Sequence, residues 1–289
     1  MDGEHERADS LVIGATGVVG GFLLRGLIAR GELPFAMSRT PRPADSARWI
    51  VGDLTEPAQL KLPTVATLYC TADASLLAQV LDRFCTPSLK RVVVFSSTSV
   101  MTKMDSEIAA EREALARLAE AEQEIAAICE ASKVAWTILR PTLIYAEGSD
   151  SNITPLSHLI RRFGFMPLVD GAAGLRQPVH AEDLADGAIA AAASPAAANQ
   201  IYSLASLETI SYREMIGRIF DGMKLPRQML PVPVWLWRAA FLLAKPLYPT
   251  ANVAMGIRMM KDMTFDASPA VKDFGWKPRP FRPVFEKNT

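Results

Sequence analysis

The residues best placed to do chemistry come early, in Gly14-Ala15-Thr16-Gly17-Val18-Val19-Gly20, directly after the apolar run 11–13. Three glycines at this spacing, with helical periodicity resuming at Phe22, Leu23, Leu27 and Ile28, describe a strand turning tightly into a helix. Glycine permits a positive φ and a close approach of ligand to backbone, and a helix N-terminus offers free N–H groups and the positive end of its dipole. The chemistry this pattern suits is recognition of a dinucleotide pyrophosphate, with Gly14, Thr16, Gly17, Val18, Val19 and Gly20 as the cradle. A tight turn holding no ligand is the plainer alternative.

The next strand should end near Ser38, where a site for an unphosphorylated ribose would carry Asp or Glu. The chain reads Ser38-Arg39-Thr40-Pro41-Arg42 instead. Arg39 and Arg42 suit a 2′-phosphate through charge-assisted hydrogen bonds, which favours NADP(H) over NAD(H); a solvated basic loop is the bland reading. Asp53, in Gly52-Asp53-Leu54 after the third strand, is either an acceptor for an adenine amine or the N-cap of a short helix.

These residues need a scaffold, and the pattern around them supplies one. Apolar runs at 10–13, 33–37, 47–51, 65–70, 91–95 and 134–139 alternate with helical patterns, notably 17–30, 75–84 and 106–131. Such alternation predicts an α/β fold, a Rossmann-type doubly wound parallel sheet. Beyond about residue 150 Pro and Gly become frequent, and helical patterns recur at 182–193, 212–223, 234–244 and 252–261. The expected organisation is a nucleotide-binding domain over residues 1–150 and a smaller C-terminal substrate lobe over 151–289, with some segments returning to the sheet.

Composition narrows the class further. The 289 residues carry 31 Lys+Arg against 31 Asp+Glu, so general nucleic-acid binding, which needs a basic surface, is not expected. Three scattered cysteines (Cys70, Cys85, Cys129) and three histidines (His5, His158, His180) form no metal-ligand spacing and no disulfide framework. The polar N-terminus does not resemble a signal peptide, and no apolar run reaches the ~18 residues of a membrane span. A cytoplasmic protein is the expectation.

With these features in place the chain resembles the extended and atypical short-chain dehydrogenase/reductases, the family of NAD(P)-dependent epimerases and dehydratases. The resemblance rests on the glycine turn, Gly52-Asp53-Leu54, residues 92–100 (VVVFSSTSV), 136–145 (WTILRPTLIY) and 178–184 (PVHAEDL), and a closing segment with Phe274-Gly275-Trp276-Lys277-Pro278. It implies a seven-stranded sheet and a cofactor channel to which Leu54, Cys70, Thr71, Ala72, Ser96, Pro141 and Thr142 also contribute. Residues 162–168, 176–179 and the Pro/Trp segment below are in addition similar to the NADPH-binding accessory subunits of respiratory complex I.

Redox members of the family use a Ser, a Tyr as general acid–base, and a Lys that lowers the Tyr pKa, Tyr and Lys lying four apart on one helix. Ser97 matches the serine. Counting back from Trp136 puts Glu122 at the family's helix glutamate, and the Tyr and Lys positions then fall on Ala114 and Leu118. No Tyr lies between Tyr69 and Tyr145 and no Lys between Lys103 and Lys133, so a slipped register does not restore the pair. Tyr145 is the best alternative phenol, against a packing role. Arg112, Arg117, Asp105 and Glu107 are weaker substitutes, and His180 reads as a hinge residue. The helix over 105–130 carries eight acidic and two basic residues, an anionic outer face that suits a second subunit or ordinary packing.

Residues 231–249 (PVPVWLWRAAFLLAKPLYP), bounded by Pro231 and Pro249, combine Trp235 and Trp237 with Arg238 and Lys245 around an apolar centre. They fit either peripheral contact with a membrane surface, at its inner face, or a buried helix of the lobe. Two functional readings follow. One is an NADP(H)-binding atypical member that lacks the Tyr/Lys pair and serves as a nucleotide-dependent structural, redox-sensing or assembly protein, with a protein partner or a homodimer. The other is an active oxidoreductase or epimerase on a hydrophobic carbonyl substrate with a non-standard proton donor. A regulator on the same fold is a third class.

Overall fold

A computed structural model describes residues 10–43, 47–102, 108–244 and 254–285, with backbone only for 240–244 and 254–255. The chain divides into two compact units, one of residues 1–142, 181–204 and 266–277, the other of 143–180, 205–265 and 278–289.

The first unit is built on a seven-stranded sheet. Its strands are β1 (Ser10–Ile13), β2 (Phe35–Ser38), β3 (Arg48–Val51), β4 (Thr67–Cys70), β5 (Arg91–Phe95), β6 (Ala135–Pro141) and β7 (Gln200–Leu204). The order is β7-β6-β5-β4-β1-β2-β3, and every pair is parallel. Helices α1 (Val18–Ala29), α2 (Ala109–Ala131) and α3 (Ala181–Ala193) flank it, as the Rossmann-type expectation requires. β1 and β5 are buried throughout, and after a buried polar first residue, Ser10 or Arg91, their sequences are continuous apolar runs rather than alternating ones. Helical residues 75–84 resolve into an α-turn, Ala74–Ala78, capped by the Asp73 side chain, and a 3-10 turn, Leu81–Phe84. Of the helical pattern over 252–261 the structure shows the short helix Ala254–Arg258, and a further helix, Ser268–Phe274, follows; residues 252 and 253 fall outside the described residues, as do Asp105 and Glu107.

Three contacts tie later segments to the sheet and its helices. The buried Arg91 guanidinium donates to the Thr137 hydroxyl (2.9 Å) and to the Ala191 carbonyl (2.6 Å), placing a cation at the C-terminal end of α3. Gly187 on α3 admits Trp276, whose ring would stand 2.6 Å from an added Cβ. The Tyr202 hydroxyl on β7 donates to Asp273 at 2.7 Å.

The second unit has three two-stranded sheets. Ile144–Tyr145 pairs with Val179–His180, Leu175–Arg176 with Ile210–Ser211, and Met166–Val169 with Met229–Val232. Helices Thr154–Phe163 and Tyr212–Gly222 pack their apolar faces into a core containing Ile160, Leu168, Ile216, Phe220 and Phe281. The His180 Nε2 lies 3.4 Å from the Glu147 carboxylate. Burial pushes the Glu147 carboxyl up, but its hydrogen bonds with His180 and backbone N–H groups outweigh this and leave it below the usual range. Among the described residues no helix is long and apolar enough to cross a membrane.

Glu208 holds the C-terminal segment of this unit. Its carboxylate accepts from Arg218 (2.7 Å), Arg282 (3.2 Å) and the Phe281 N–H (3.3 Å), and Arg218 also donates to the Phe281 carbonyl (3.2 Å). The Arg218 guanidinium beside it, with Arg282 adding to the effect, holds the Glu208 carboxyl down at about 2. A depressed carboxylate contributes stability above its unfolded pKa and loses it as pH falls through the folded value. Glu208→Gln should therefore cost about 1 kcal/mol at pH 7, a figure discounted for solvent screening. In urea titrations the gap between variant and parent should close as the pH is lowered from about 4.5 toward 2.

Candidate nucleotide site

The sheet order reverses between β1 and β4, and this is where the glycine turn lies. Ile13 pairs with Cys70, so the chain leaves both strands in register and Gly14 meets Thr71. Gly14 has φ +81°, and an added Cβ would stand 2.6 Å from Thr71 Oγ1 and 2.7 Å from the Ala72 nitrogen. At Gly20 a Cβ would come within 2.1 Å of the Gly14 oxygen. The Thr71 hydroxyl lies 3.1 Å from the Gly14 carbonyl and 3.2 Å from that of Ile13, clamping the turn. Gly17 opens α1 with no side-chain cap, so the first-turn N–H groups of Val18, Val19 and Gly20 are left for an anion.

Above this turn lies a cavity of about 380 Å³. Gly14, Thr16, Gly17, Arg39, Asp53, Leu54, Thr71 and Ala72 all line it, as do Met37 and Leu76. A backbone cradle, two apolar walls and one arginine fit a dinucleotide, whose bases are flat and whose phosphates are anionic. Cys70 points elsewhere: it is fully buried, and burial pushes its thiol up to about 12.

β2 and β3 pair Ser38 with Val51, so Arg39 and Asp53 emerge side by side. Asp53 is not the cap of a helix, since Glu56 precedes the short turn Pro57–Gln59. It forms an Asx turn, with Oδ1 accepting from the Thr55 N–H (2.9 Å) and hydroxyl (2.8 Å). Those bonds, with a smaller contribution from Arg39, hold its carboxyl below the usual range. Arg39 and Arg42 are both exposed, and only Arg39 lines the cavity, while Arg42 stacks 5.9 Å above the Trp49 ring. Ser96, Pro141 and Thr142 lie at the carboxyl ends of β5 and β6, outside the cavity lining. The Pro141 carbonyl accepts from Thr98, the Thr142 N–H donates to Leu204, and the buried Ser96 Oγ has no partner among the described residues. Met37, Thr55 and Leu76 were not among the residues the sequence singled out; an apolar residue closing a strand looks like any other core residue.

The helix to which the resemblance assigns the proton relay is held by one ion pair. Arg140 on β6 makes a two-pronged ion pair with Glu122 on α2, one arm at 2.9 Å, and Glu122 is only 3 % exposed. That pair sets the rotation of α2. One turn earlier Leu118 packs against the core of the unit, and Ala114 is exposed. Ser97 Oγ accepts from the Ser99 N–H at 3.1 Å, which leaves its own hydrogen to donate. Tyr145 belongs to the second unit and is 1 % exposed, in edge-on contact with His180 (5.0 Å) and Phe281 (4.8 Å). Arg112 and Arg117 are exposed.

The Gly20 contact yields a direct test. Gly20→Ala forces a methyl onto the Gly14 carbonyl, so α1 must shift away from the turn. Overpacking of this kind costs about 1–3 kcal/mol. Thermal unfolding should show that loss, and NADPH should no longer raise the midpoint of the variant.

Residues 14–158 match the model of a family described as NAD(P)H-binding. Over 305 aligned residues the chain is 24 % identical to the UDP-glucose 4-epimerase of Vibrio cholerae, covering 93 % of this chain and 90 % of that protein. Among solved structures, MoeE5 in complex with UDP-glucose and NAD superposes with a TM-score of 0.70 at 20 % identity, covering 94 % of each chain. The UDP-glucuronic acid 4-epimerase of Bacillus cereus, in complex with UDP-glucuronic acid and NAD, gives 0.71 at 14 % identity and 94 % of each chain. These likenesses extend the seven-stranded sheet to a shared fold, and the match over residues 14–158 places the chain in the NAD(P)H-binding family, on the short-chain dehydrogenase/reductase fold of the epimerases and dehydratases.

Proposed function

We propose that this protein binds NADP(H) and holds it without the usual phenol–ammonium relay, as a nucleotide-dependent structural, redox-sensing or assembly protein. The observation that carries the reading is Leu118, packed into the core at the relay's lysine position while Glu122 and Arg140 keep the helix in register. Leucine cannot move a proton or lower a neighbour's pKa, and the Ala114 methyl offers no acid. A bound nucleotide would still have a role, because a ligand at 100 times its Kd stabilises the folded state by about 2.7 kcal/mol. Hydride chemistry belongs to the nicotinamide; the chain's own part is to seat the pyrophosphate on α1 and the ribose end beside Arg39.

Preference for the 2′-phosphate rests on Arg39 at the cavity wall and the absence of a carboxylate at the end of β2. A second reading, an oxidoreductase or epimerase acting on a hydrophobic carbonyl, draws on Ser97 and its available hydroxyl. UDP-glucose is the first substrate to try, given the Vibrio cholerae relative.

Two measurements separate these readings. Arg39→Gln removes the charge without placing a second carboxylate beside Asp53. By calorimetry it should weaken NADPH binding about tenfold or more and leave NADH nearly unchanged, the scale of a charge-assisted hydrogen bond. Equal losses for both nucleotides would refute the preference. Purified protein should retain nucleotide yet neither oxidise NADPH with a carbonyl panel nor epimerise UDP-glucose. Turnover abolished by Ser97→Ala would favour the enzyme instead.

A further inference from the structure

The second unit exposes a surface that neither nucleotide binding nor lobe packing uses. Trp235 is 69 % exposed and its neighbour Leu236 44 %, at the start of the helix Val234–Ala244. Trp235 and Arg238 line a shallow crevice with Asp170, Pro233 and Val234. A second aromatic group, Phe163 (55 % exposed) and Phe165 (39 %), closes the helix Thr154–Phe163, with ring centroids 6.4 Å apart. Arg162 sits 5.3 Å over the Phe163 ring. A single ribbon joins the two groups. Met166–Val169 follows Phe165, Met229–Val232 precedes Trp235, and the two strands pair in parallel with Leu230 exposed between. Four residues of strand separate the groups by roughly 13 Å.

The segments that carry this surface are rich in basic residues. Residues 151–169 contain no Asp or Glu, and neither do residues 222–261, which carry six Lys or Arg. The unit as a whole has 14 basic and 8 acidic residues, an excess of +6. Among the described residues lining the crevice, Asp170 is the one acid beside Trp235. Exposed Trp, Phe and Leu with flanking arginines match the chemistry of a bilayer interface, where aromatic rings settle at headgroup depth and cations meet lipid phosphates. Two copies meeting through this face would oppose like charges.

We propose that this face docks on an anionic membrane surface, with Trp235 and Leu236 entering the headgroup region and Arg162 and Arg238 meeting lipid phosphates. The contact is peripheral and reversible, since the apolar group is small and the electrostatic part is screened by salt.

Flotation of the full chain with vesicles tests this. It should float with phosphatidylcholine vesicles containing phosphatidylglycerol, not with phosphatidylcholine alone, and salt should release it. Trp235→Ser combined with Leu236→Ser should lower the partition coefficient about tenfold. Arg162→Glu combined with Arg238→Glu should do the same through charge alone. Both variants should keep the NADPH affinity of the parent, which shows that they fold. Failure to float overturns the proposal, as does flotation that neither variant changes. Binding to neutral vesicles as strong as to anionic ones also overturns it. So does sedimentation showing self-association that these variants abolish in place of vesicle binding.

Discussion

Two absent β-carbons govern the nucleotide half of this molecule. At Gly20 the helix backbone lies so close to the turn that a methyl would overlap the Gly14 carbonyl, and at Gly14 a methyl would overlap Thr71 and Ala72. These contacts let α1 start where β1 stops and bring the end of β4 against the same turn. The crevice at the reversal of strand order is thus formed by backbone, with Thr71 as the clamp. Side chains enter only afterwards, and Arg39 and Asp53 reach the cavity because Ser38 and Val51 pair at the ends of their strands.

The Glu122–Arg140 pair constrains the other wall. A buried ion pair of this kind contributes little net stability, because desolvation offsets its attraction; what it supplies is registry. It fixes which residues of α2 face the sheet. In this chain the residue one turn back is a leucine, partly buried against the core, which gains part of the about 1.5–3 kcal/mol that full burial of such a side chain is worth. A lysine at that place would need a polar partner to avoid a desolvation cost of its own.

Sequence pattern reached the elements better than their ends. β1 and β5 are buried on both faces, so the apolar runs 11–13 and 92–95 mark them, each after one buried polar residue, Ser10 or Arg91. β6 runs on to Pro141, two residues past its apolar run, because a proline at a strand's last position loses no needed N–H and its carbonyl still accepts from Thr98. The helical pattern over 75–84 hid a break, since periodicity does not distinguish an α-turn followed by a 3-10 turn from one helix. At the site, glycine spacing revealed the cradle because the constraint is local. The division between Arg39 and Arg42 was not legible, because it depends on Trp49, a residue of the neighbouring strand. Tyr145 had the same difficulty: its burial is decided by His180 and Phe281, distant in sequence.

The zero net charge conceals two opposite halves. The nucleotide unit carries 17 basic and 23 acidic residues, an excess of −6, although its ligand is a polyanion. The net charge of the unit therefore offers no overall attraction, and the groups proposed to hold the nucleotide act at contact: the uncapped α1 terminus, the turn amides and Arg39. Such contacts are insensitive to the field of the surrounding surface, so an acidic exterior does not compromise them. The +6 of the second unit is disposed differently: residues 151–169 and 222–261 carry eight Lys or Arg and no acid, although Arg227 is ion-paired with Glu214 and Asp221. Charge arranged in that way suits the anionic surface proposed for the aromatic face of the second unit, whereas the contacts proposed for the nucleotide act only at short range.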